Sequence, residues 1–64
     1  MSGSDRLSLA RKHVARGREI VARQYEIIRA IREIGSDSAP HEEMLATFER
    51  SLAMFEADLA ELEK

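Results

Sequence analysis

Large apolar residues recur three and four apart from Leu45 to Leu62, at Leu45, Phe48, Leu52, Phe55, Leu59 and Leu62. That spacing lines one side of a helix and makes a seam for lengthwise packing against another helix. A second apolar pattern runs upstream in three columns. Leu7, Val14, Val21 and Ile28 form the first, Ala10, Gly17, Gln24 and Ile31 the second, and Ile20, Ile27 and Ile34 lie beside the first. Two columns suffice for a two-stranded seam, whereas three give the wide apolar face of a bundle helix. The pattern therefore predicts one helix near residues 5–34 and another near 40–63.

Between the two patterns the chain reads Gly35-Ser36-Asp37-Ser38-Ala39-Pro40. Gly35 suits the left-handed residue that follows a helix C-terminus. Ser38 is the expected N-cap of the second helix, and Pro40 falls in its first turn, where a missing amide hydrogen costs little. At the other end, Ser4 or Asp5 is the expected cap of the first helix. So short a connection, residues 35–39, makes the helices antiparallel neighbours. The fold expected is an all-α antiparallel hairpin, two copies of which pair into a four-helix bundle. Residues 1–4 read as a flexible leader, and residues 5–64 as one domain. In the pairing expected from seam sizes, Ile31 meets Leu45, Ile28 meets Phe48, Val21 meets Phe55, and Gly17 and Ala10 face Leu59 and Leu62. Gln24 then lands near Leu52, either fixing register from within the seam or tilting out to water. Tyr25 flanks the seam, its hydroxyl free to reach water or a partner.

Charge divides by helix. Residues 5–34 carry eight basic and four acidic side chains, residues 40–64 two basic and seven acidic. Opposite flanks favour side-by-side packing of the unlike helices. Arg11, Lys12, Arg16, Arg18 and Arg23 would also offer phosphate a positive surface. A pI near 5.6 and the lack of interleaved aromatics weigh against nucleic acid as a partner.

Little in the chain points to chemistry. With no cysteine among 64 residues, disulfides and thiolate metal sites are excluded. His13 and His41, both expected at the surface, fall roughly 30 Å apart in the hairpin, too far to share a metal within one chain, although an antiparallel partner could bring them nearer. The acidic residues lack the inward Glu-x-x-His pairs of bundle metal sites. No nucleophile–base set is visible, so no enzyme, cofactor or metal is expected. No apolar run approaches a membrane span, and cytoplasmic location is the default expectation.

The segments His13-Val14-Ala15-x-Gly17, Ile20-Val21-Ala22-Arg23-Gln24, Gly35-x-Asp37-Ser38 and Leu45-Ala46-Thr47-Phe48-x-x-Ser51-Leu52, with Ile28, resemble a family of short, uncharacterised bacterial helical-hairpin proteins. The resemblance covers most of residues 13–52 and departs at Pro40. It implies the hairpin fold and carries over no established activity.

The remaining reading is association. A chain of this size buries a small share of its surface and needs a staple, and without metal or disulfide that staple is a second copy. The residues expected at the interface are Ile20, Gln24, Tyr25, Ile27, Ile34, Met54 and the small strip Ala46, Ala53 and Ala60. Two alternatives stand beside the homodimer: an adaptor whose groove takes an amphipathic helix of another protein, and a weak nucleic-acid binder acting through the basic helix.

Overall fold

The computed structural model describes residues 3–64, with side chains from residue 5 onward. Two helices, α1 (Gly3–Glu33) and α2 (Ala39–Leu62), pack against each other over their length. Extents of 50 × 16 × 14 Å follow from 31 residues of α1 at about 1.5 Å each. Met1 and Ser2 of the expected leader lie outside the described residues. Gly3 already belongs to α1, and Asp5 sits in its first turn rather than at a cap.

The reversal is built from backbone bonds. Gly35 adopts φ +75°, the left-handed conformation. Its amide donates to the Arg32 carbonyl at 3.1 Å, and that of Ser36 donates to the Ile31 carbonyl at 3.0 Å. This pair of bonds satisfies carbonyls that the helix end would otherwise leave open. At the start of α2, Ser38 holds the N-cap position but its hydroxyl does not cap. Asp37 does that work, its Oδ1 accepting from the Ala39 amide at 3.0 Å. The Ser38 hydroxyl instead donates to Glu42 Oε2 at 2.9 Å, while the Glu42 amide donates to the Ser38 carbonyl at 2.9 Å. Ser38 is buried, because residues 36–38 return alongside the last turn of α1.

The seam lies where the columns place it, and it is thin. Among the described residues, the buried apolar side chains are Val14, Ile28 and Leu45. Leu7, Ala10, Gly17, Val21, Ile31, Phe48, Leu52 and Leu59 are half-buried around them. Register differs from the expected pairing by one heptad. A methyl group built on Gly17 would meet Leu52 Cδ1 at 3.0 Å, so Gly17 faces Leu52 and not Leu59. Phe55 stacks on His13, ring centres 5.2 Å apart, and not against Val21. The reason is the turn. By running back along α1, it starts α2 deeper than a flat connection would, and α2 then reaches the first turns of α1.

Gly17 therefore lies against α2, with the Leu52 side chain over it. Alanine there gains roughly 1 kcal/mol of helix propensity and asks only that a half-buried leucine methyl give way slightly. Gly17→Ala should leave stability unchanged or raise it by up to about 1 kcal/mol, and Gly17→Leu should lower it by about 1–3 kcal/mol through overpacking. Denaturant titrations followed by circular dichroism check both. A Gly17→Leu variant as stable as the parent would show that the helices do not meet there.

Candidate functional site

Among the described residues, the side chains that join the helices by ion pairs or hydrogen bonds all lie on one flank, at seven-residue spacing on both helices. Arg11 pairs with Glu63 at 3.5 Å, Arg18 with Glu56 at 3.0 Å, and Tyr25 donates its hydroxyl to Glu49 at 3.0 Å. Arg32 and Glu42 complete the series beside the turn. Arginine and glutamate reach each other because helical side chains lean toward their own N-termini, and in antiparallel helices those directions converge. These groups are exposed, so solvent screening leaves each bond a weak contributor. Glu42 differs, since it also accepts the hydroxyl of buried Ser38 and so ties the turn to both helices.

Tyr25 is perturbed by this arrangement. Its hydrogen bond to Glu49 holds the phenolic proton, and the carboxylate charge opposes phenolate, so its pKa lies above the ordinary 10.0.

The opposite flank is apolar. His13, Ile20, Ile27 and Ile34 recur every seven residues there. Ile20 and Ile27 are half-buried, and Ile34 is 77% exposed. The neighbouring α2 column is Met44, Ser51 and Asp58. Asp58 joins Arg6, Leu9, Ala10, His13, Phe55 and Leu62 around a cleft of about 240 Å³ at the open end, which places this column on the side of His13. Met44 and Leu9 are each about half exposed.

The residues expected at an interface thus divide. Ile20, Ile27 and Ile34 share the apolar flank. Tyr25 stands on the other one, engaged with Glu49. Ala46, Ala53 and Ala60 recur beside the glutamate column on the outside of α2, exposed, and Met54 is 69% exposed. Gln24 lies half-buried within the seam, its Oε1 buried without a hydrogen-bond partner. His41 corrects the expectation of a surface histidine. It belongs to the Phe48, Phe55, Leu62 column, is half-buried, and its Nδ1 is buried without a partner. Its place seven residues before Phe48 was the available signal. Sequence reasoning also missed the bridging flank as a ladder, although the recurrence of Glu42, Glu49, Glu56 and Glu63 opposite Arg11, Arg18, Tyr25 and Arg32 was legible.

Among the described residues, no group of three or more metal-ligating side chains converges, and no helix is long and apolar enough to cross a membrane. Comparison with known protein families, with curated proteins and with solved structures returned no match.

Two outcomes follow. Tyr25 should titrate above 10.0 by phenolate absorbance in the intact protein and fall toward that value in Glu49→Gln. Because the folded pKa is raised, the stabilisation is present below the unfolded pKa and lost as pH climbs through the folded one. An unshifted phenol would mean the Tyr25–Glu49 bond is not formed. Separately, Glu42→Ala should cost about 1–2 kcal/mol, since it strands the buried Ser38 hydroxyl, against about 0.5 kcal/mol or less for Glu56→Ala. Equal losses in thermal melts would show that Glu42 is only another exposed ion pair.

Proposed function

We propose that this chain is a non-enzymatic self-association module that dimerises through its apolar flank, two hairpins completing a four-helix bundle. The observation that carries the reading is the surface the chain leaves in water. It exposes 5074 Å² at 7.3 kDa, where a folded monomer of that mass exposes about 4,200 Å². Part of that surplus follows from the 50 × 16 × 14 Å rod shape, and the apolar flank is the part that a second copy can cover. Ile20, Ile27, Ile34 and Met44 lie on the flank that the ion pairs leave untouched, so a second hairpin can cover them without breaking a cross-helix bond. Burying an isoleucine fully is worth roughly 1.5–3 kcal/mol, which makes this flank the main unused source of association energy. The reading places no catalytic, cofactor or nucleic-acid role on the chain. It assigns the basic residues Arg11, Arg18 and Arg32 to pairing with α2, as their bonds support.

Sedimentation equilibrium at micromolar concentration should return twice the chain mass. The double variant Ile20→Glu with Ile27→Glu should dissociate the dimer, raising its dissociation constant by at least about 100-fold, equivalent to about 2.7 kcal/mol. A wild-type protein that sediments as a stably folded monomer would overturn the reading and favour an adaptor that receives a helix from another protein.

A further inference from the structure

Resting on the self-association reading, we infer how the second copy docks: antiparallel, about a two-fold axis crossing α1 between residues 23 and 24, with Ile34 of each copy seated in the open-end cleft of the other. The apolar column supplies the first argument. His13, Ile20, Ile27 and Ile34 are evenly spaced, so a two-fold at their midpoint sets Ile20 against Ile27 of the second copy and Ile34 against its His13. The same operation turns the prominent end of the flank onto its hollow end. Among the described residues, Ile34 is the most exposed large apolar one, at 77%, and stands beside the turn. The cleft of about 240 Å³, walled by Leu9, Ala10, His13, Phe55 and Leu62, stands at the far end on the same flank. One isoleucine side chain is of a size to enter it.

Charge supplies the second argument. Divided at that axis, the open half, residues 5–23 and 46–64, carries eight basic and seven acidic side chains, a balance of +1, and the turn half, residues 24–45, carries two and five, a balance of −3. An axis along the hairpin would stack turn half on turn half, −3 against −3. The antiparallel arrangement brings each −3 half against a +1 half. Met44 falls near the axis, where its flexible side chain meets its own copy.

The chain has no cysteine, so single introduced thiols report the geometry cleanly. Ile34→Cys and His13→Cys, each checked for parent-like helicity and sedimentation mass, are mixed in equal amounts and oxidised under air. The disulfide joining Ile34→Cys to His13→Cys should exceed the Ile34→Cys self-linked product by about tenfold, because docking raises the effective concentration of only the matched pair. A dimer in which Ile34→Cys links mainly to itself, or in which neither thiol links, would overturn the orientation while leaving self-association standing. A single-chain mass for the parent would overturn both.

Discussion

The seven-residue period shared by the two helices is the constraint from which the rest follows. It sets Arg11, Arg18, Tyr25 and Arg32 against Glu63, Glu56, Glu49 and Glu42, and no single bond in that series matters much. Their common spacing matters more. Sliding α2 by one turn would present Leu59, Leu52, Leu45 and Ser38 to the same four donors and break every bond at once. Sliding it by a whole heptad keeps three pairs at best and pulls Glu42 away from the turn. Specificity of register thus comes from many weak contacts in one phase, while the apolar seam, which tolerates heptad slips, supplies adhesion.

That division of labour leaves the hairpin with two unlike flanks. One is closed by ion pairs and the Tyr25 bond. The other, running from Leu9 to Ile34, carries mainly apolar side chains beside His13, with Met44, Ser51 and Asp58 opposite them on α2. Gln24 and His41 each keep a buried polar atom without a partner, a cost of roughly 1–3 kcal/mol apiece. A seam with three buried apolar side chains among the described residues has little margin to absorb such costs. Covering the open flank with a second copy would thicken the core where it is thinnest.

Much of this was legible in the sequence. The helix count, the left-handed Gly35, the position of Ser38 before α2 and the third isoleucine column all follow from spacing and residue type. The register did not, because it depends on the path of residues 36–38, where Ser38 trades capping for a bond to Glu42 and the chain doubles back. Matching large residues to small ones along the seam admits solutions a heptad apart, and the turn decides between them. The expected interface mixed two surfaces for a related reason. Tyr25 and Ile27 are two positions apart and so stand on opposite sides of a helix, a distinction that matters only once the partner helix is in place.

Small-angle X-ray scattering tests the central claim most directly, because the claim concerns mass and shape together. One hairpin has a radius of gyration of 15.0 Å and a length of 50 Å. Antiparallel docking about the axis between residues 23 and 24, at an interaxial distance of 8–10 Å, offsets the copies along their length by about 12 Å, so it should double the forward scattering per chain, raise the radius of gyration by only about 2 Å and lengthen the particle by about 12 Å. Forward scattering for a single chain, or a doubled mass with a much longer particle, would contradict the account.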